Sequence, residues 1–222
     1  VPGLVLQAAS VALVAGYYQV PAVHAALARL SAFREASGVA FSIASTAVFG
    51  GLLPFLYVRY GPARGTGARQ YVWPQGLCLT AFWAYKGFEV DLWYRIQAHV
   101  FGPGHDVSTI ALKALVDQFG YCPAFAVPVT AAVYQAVDAG TDWRTWVADL
   151  RSPRWYRRRV LPVLISNLGV WVPAVAVIYA LPTPFQLPLQ NVVLCFYTLV
   201  VAHQMRRNTP EGPGGRPRAA AP

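Results

Sequence analysis

Charge is scarce in this chain: only 12% of its 222 residues are Asp, Glu, Lys or Arg. So few charges around so much apolar material disfavour a large soluble core and favour a membrane protein. Three cysteines, Cys78, Cys122 and Cys195, are odd in number and far apart, each inside an apolar run. That excludes a disulfide framework or zinc motif and predicts buried reduced thiols. No HExxH, no GxSxG and no carboxylate-rich metal motif occurs, and His24, His99, His105 and His203 show no ligand spacing. The expectation is therefore a non-enzymatic protein without cofactor or metal. The chain begins at Val1, not at a methionine, which suggests a trimmed N-terminal piece and leaves a removed targeting segment open.

What is abundant is apolar sequence, 56% of residues, arranged in runs. Gly38 to Val58 holds no charge over 21 residues and predicts a transmembrane helix. Val72 to about Leu92, Val107 to Val137 and Val160 to Ala180 are three further strong candidates, while Leu4 to Val20 and Leu187 to Ala202 are shorter and weaker. The fold class that follows is all-α: a polytopic transmembrane helix bundle with four strong spans and two weaker ones. Residues 1–207 read as one helical domain. From Asn208 the Pro-, Gly- and charge-rich tail, residues 208–222, predicts disorder because it has almost nothing to bury.

The net charge of +9 is carried almost entirely by sixteen arginines. They lie between and after apolar runs, without the glycine and aromatic interleaving of an RNA-binding module, so nucleic acid is not an expected partner. If all six segments cross, thirteen arginines fall on one side and three, Arg29, Arg34 and Arg95, on the other. Positive loops resist translocation, so that split places both ends on the cytoplasmic or matrix-like side. Thr141 to Arg159 alternates tryptophan with arginine. Such a segment suits an interfacial anchor or, more sharply, a site for a lipid or partner.

Polar residues interrupt three of the runs. Lys113 and Asp117 stand four apart, predicting an ion pair on one helix face, with Gln118 and Tyr121 extending the patch. Pro123 and Pro128 follow, each removing a backbone donor and bending the helix. Lys86 with Glu89, and Asp91 with Arg95, have the spacing to neutralise one another. Asn167 shares a face with Trp171, seeks a partner on another helix, and precedes the helix-shaping Pro173. These groups read either as interhelical glue in a closed scaffold or as the lining of a polar path for small solutes. Intramembrane catalysis is the weakest alternative.

At these residues the sequence resembles the family of small membrane proteins named for the mitochondrial inner-membrane protein Mpv-seventeen and its peroxisomal relative. The resemblance runs in order from Gly87, Trp93 and Tyr94, through Lys113, Asp117, Gln118 and Pro123, to Trp143 and Trp146. It continues with Asn167, Trp171, Pro173, Tyr179, Pro182 and Asn191, covering about six-tenths of the chain. Gly50 and Gly51 stand where the family carries Gly-Asp, and Asn167 is followed by Leu168 in place of tryptophan. These departures fit a distant branch. The resemblance implies a helical protein of the lipid bilayer, channel-like for small solutes or metabolites and capable of homo-oligomerisation. Its membrane would be the cytoplasmic one in a bacterium, the mitochondrial inner or peroxisomal one in a eukaryote.

Overall fold

The computed structural model describes residues 2–60, 71–102, 104, 106–140, 142–182, 185–195 and 197. The predicted tail from Asn208, and part of the last apolar run, lie outside the described residues. Among those described the chain is helical, with no strand.

Two helices open the fold, α1 over Pro2–Gln19 and α2 over Pro21–Ser37. Val20 between them is extended (φ −115°, ψ 109°), as the residue before a proline prefers, and the two axes meet at 103°. The first expected span is thus half of a bent pair. Gly38 (φ 56°) ends α2 in a conformation open to glycine. Then come α3 (Val39–Tyr60), α5 (Val107–Ala139) and α7 (Tyr156–Tyr179), each long and apolar enough to cross a membrane. The bent α1–α2 pair makes a fourth if it counts as one broken span. Between α3 and α5 lies α4 (Trp73–Phe101), 29 residues long, with four charges from its middle onward. A short α6 (Trp143–Leu150) joins α5 to α7, and residues 185–195 form α8.

Three of these helices contain wider, i→i+5 turns: Ala47–Leu52 in α3, Val116–Ala126 in α5 and Tyr156–Val160 in α7. A proline ring collides with the carbonyl four residues earlier and gives it no N–H. For Pro54, Pro123 and Pro162 that earlier residue is Gly50, Phe119 and Arg158, each inside a widened stretch. Wider winding makes room for the ring and re-satisfies the backbone. Pro123 and Pro128 therefore act on α5 by unwinding it. Pro173 does not: α7 keeps α winding around it, with the ring on the exposed side.

The tightest packing is between α3 and α4. A Cβ on Gly87 would stand 2.2 Å from the Ser42 carbonyl oxygen, and one on Gly51 would stand 2.7 Å from the Thr80 Cα. Small residues let two backbones approach where lipid supplies no hydrophobic drive. The main apolar cluster sets Val90 and Tyr94 of α4 against Trp171, Ala174, Val175, Ile178 and Tyr179 of α7, with α8 behind. Outward faces carry large apolar side chains such as Phe119 and Ile165, more than half exposed, as a lipid-facing surface does. None of the three thiols is in a disulfide among the described residues; Cys122 is buried as expected and Cys195 half-buried, but Cys78 is exposed on α4.

Candidate functional site

From its middle onward α4 places Lys86, Glu89, Asp91 and Gln97 inside the bundle, all under 9% exposed. Lys86, Glu89 and Gln97, three and eight residues apart, share one side of the helix, whereas Asp91, two past Glu89, faces another. Lys86 Nζ donates to Glu89 Oε1, the pairing expected from the sequence, and the Tyr121 hydroxyl of α5 donates to the same oxygen. The Lys86 ammonium also lies 5.7 Å from the centre of the Tyr121 ring. That ring stacks on Trp93 at 4.5 Å and 16°. Trp93 Nε1 in turn donates to Asp117 Oδ1 at 2.7 Å, and Gln118 Nε2 donates to Asp117 Oδ2 at 2.7 Å. Six side chains of α4 and α5 thus form one charged contact.

The expected Lys113–Asp117 pair is corrected: no such ion pair forms among the described residues. Both side chains are buried, Lys113 at 2% and Asp117 at 6% exposure, but the Asp117 carboxylate is taken by Trp93 and Gln118. Wider winding starts at Val116. Asp117 instead meets α4, where Trp93 reaches one carboxylate oxygen, while Gln118 beside it takes the other. Of the residues singled out, Glu89, Asp117, Gln118 and Tyr121 come together. Asp91 is in a second cluster, and Asn167, half-buried on α7, stands beside Cys122 of α5.

The second cluster crosses from α4 to α2. Asp91, with no exposed surface, accepts from Arg34 at 2.6 Å and from the expected Arg95 Nε at 2.7 Å. Arg34 is 7% exposed, and the sequence had placed it in a loop. A third link joins α3 to α8: Thr46 Oγ1 donates to Asn191 Oδ1, and Asn191 Nδ2 donates to Ser45 Oγ, both at 2.8 Å. Arg34, Trp93, Ser45 and Thr46 were missed as polar partners. The one available signal was Asp91, a buried-face carboxylate whose nearest basic neighbour sits at the helix edge.

Outside the spans, carboxylates cap and tie helix ends. Asp106 caps α5, accepting from Ser108, from Thr109 N at 3.0 Å and from Thr109 Oγ1 at 2.8 Å, which holds its carboxyl well below the usual range. Asp142 caps α6 through Thr145 and is lowered likewise. Asp149 accepts from Gln135 at 2.5 Å, Arg158 at 2.9 Å and Arg159 at 3.3 Å, and its carboxyl is lowered chiefly by the Gln135 bond.

Among the described residues no group of three His, Cys, Asp or Glu side chains could hold a metal. One cavity of about 260 Å³ lies between α1, α2, α3 and α8, lined by apolar residues such as Leu27, Phe41 and Phe185. Another of about 300 Å³ sits at the α1–α2 bend beside His24. Neither is lined by the α4–α5 charged residues.

Fold and site define a class: a helical bundle with three or four membrane-length apolar segments and ionisable groups buried between its helices. Comparison with known protein families, with curated proteins and with solved structures returns no match to this chain.

Proposed function

We propose that this is a non-enzymatic integral membrane protein that passes small polar solutes, and that the α4–α5 charged contact closes the path in the arrangement seen here. One observation carries the proposal: Lys86, Glu89, Lys113 and Asp117 are all buried between apolar helices. A charge at the bilayer centre costs at least about 2.5 to 3.5 kcal/mol to insert. Neutral hydrogen bonds like those of Asn191 would join helices without that cost. Intramembrane ionisable groups facing a bundle interior characteristically mark solute or proton paths. The resemblance to the Mpv-seventeen family, carried by Gly87, Lys113, Asp117, Gln118 and Pro123, supports the same proposal. It would place the protein in a bacterial cytoplasmic membrane or in a mitochondrial inner or peroxisomal one.

A second reading, a closed scaffold, is favoured by the mutual bonding of Lys86, Glu89 and Tyr121 and of Trp93, Asp117 and Gln118. Reconstitution in planar bilayers separates the two. A conducting protein changes current or ion preference in Asp117→Asn and Glu89→Gln while keeping its thermal melting near the parent's. If the folded, inserted parent passes no current or small solute under varied voltage, pH and redox conditions, conduction is refuted and the scaffold stands.

A further inference from the structure

Residues 142–159 hold six arginines and two aspartates, a net charge of +4 on eighteen residues. The aspartates are already engaged. Asp142 caps α6, and Asp149 takes Arg158 and Arg159. Arg144, Arg151, Arg154 and Arg157 remain, all exposed, and none forms a side-chain ion pair or hydrogen bond among the described residues.

A basic loop on a membrane protein commonly does no more than fix topology. Here the segment is folded and fastened to α5. Trp146 Nε1 donates to the Ala132 carbonyl at 3.0 Å, and Trp155 Nε1 donates to Gln135 Oε1 at 2.9 Å. Gln135 Nε2 closes on Asp149, and the Tyr156 hydroxyl donates to the Pro123 carbonyl at 2.9 Å. With its apolar and aromatic side held down, the segment turns its free guanidinium groups outward from a fixed frame. Arg144 and Arg151, seven apart, share a face along α6. Arg154, in the turn just before α7, and Arg157, in its first turn, lie three apart.

We infer that this surface binds the phosphate of an anionic phospholipid headgroup. Guanidinium forks match phosphate geometry and stay charged at every relevant pH. The source of the phosphate is set by position. The segment links the C-terminal end of α5 to the N-terminal end of α7, two helices of membrane-spanning length, so it lies at one leaflet's headgroup level. Trp143, 63% exposed at the start of α6, is the residue type that anchors at that level. The surface requires only that α5 and α7 cross a bilayer, whether or not the bundle conducts.

The test uses the full chain in a neutral detergent, with bound lipid counted by native mass spectrometry and melting followed in parallel. Phosphatidylglycerol, phosphatidylcholine and inorganic phosphate are titrated separately. Phosphatidylglycerol should be retained and should raise the melting temperature above the phosphatidylcholine value, while inorganic phosphate at equal concentration does neither. Arg154→Gln with Arg157→Gln should weaken phosphatidylglycerol binding by about fivefold per arginine, as expected for basic residues at an anionic surface. Arg29→Gln, removing an exposed charge elsewhere, should leave it unchanged. Equal retention of the two lipids by the parent overturns the inference without recourse to any variant. So does protection by inorganic phosphate as strong as by lipid, or a double variant that binds like the parent.

Discussion

Replacing Asp91 with alanine removes the shared acceptor of two arginines in different surroundings. Arg34 is buried, 8% of its side chain exposed, whereas Arg95 is 58% exposed. Without the carboxylate, Arg34 keeps its charge in a site that excludes water, because a guanidinium does not deprotonate. Breaking a buried pair from one side costs about 3 to 5 kcal/mol, most of it the stranded charge. Loss of the exposed Arg95 contact adds at most about 1 kcal/mol. Asp91→Ala and Arg34→Ala should therefore each cost about 3 to 5 kcal/mol, and Arg95→Ala no more than about 1 kcal/mol. The double variant Arg34→Leu with Asp91→Leu leaves no buried charge and fills the space, so it should cost clearly less than either alanine single. Unfolding by SDS titration from mixed micelles, followed by tryptophan fluorescence, reads these differences. If the double variant costs the sum of its singles, or if Arg95→Ala costs as much as Asp91→Ala, burial of the α2–α4 pair is not what holds these helices together.

Three further outcomes are expected. Gly87→Ala places a methyl 2.2 Å from the Ser42 carbonyl oxygen, so α3 and α4 must part at a cost of about 1 to 3 kcal/mol; an unchanged melting temperature would refute the close crossing. Trp93→Phe keeps the ring beside Tyr121 but leaves Asp117 Oδ1 without its donor, and should cost about 1 to 3 kcal/mol in the same SDS titration, whereas Trp143→Phe, at an exposed site, should cost nothing measurable. The Asp149 carboxyl is held below the usual range by Gln135 and by Arg159 and Arg158, so its stabilisation is complete above the unfolded-state value near about 4 and disappears as pH falls through the lower folded value; Asp149→Asn should flatten that acid dependence, and identical acid profiles for variant and parent would contradict the assignment.

The helices themselves were legible because long apolar runs admit few alternatives in a bilayer. So were Lys86 with Glu89 and Asp91 with Arg95, since their spacing on one α-helix fixes their proximity. Lys113 with Asp117 failed under the same rule because spacing says only which groups can meet, and Trp93 of α4 and Gln118 take the Asp117 carboxylate instead. Pro173, whose chemistry is identical to that of Pro123, leaves α7 regular, so a proline in the sequence does not by itself report the turn it will occupy. Arg34 was illegible for another reason. Its partner lies 57 residues away, and a single arginine at a helix end looks like a topology signal. The cross-helix contacts of Trp93 with Asp117 and of Thr46 with Asn191 likewise depend on which faces meet, a property that composition and period do not contain.

The distance between Arg34 and Asp91 along the chain also bears on how the protein is made. Synthesis delivers α2 first, carrying a cation whose partner Asp91 is still to be translated. Until α4 emerges, α2 has reason to keep Arg34 in contact with water or lipid phosphate, and the sharp bend at Val20 lets it do so without disturbing α1. The Arg34–Asp91 contact cannot form until the ribosome has passed Asp91, so firm docking of α2 is expected late in assembly. A nascent chain arrested before that point should release α2 to alkaline extraction or protease, and one arrested after α4 has left the ribosome should not.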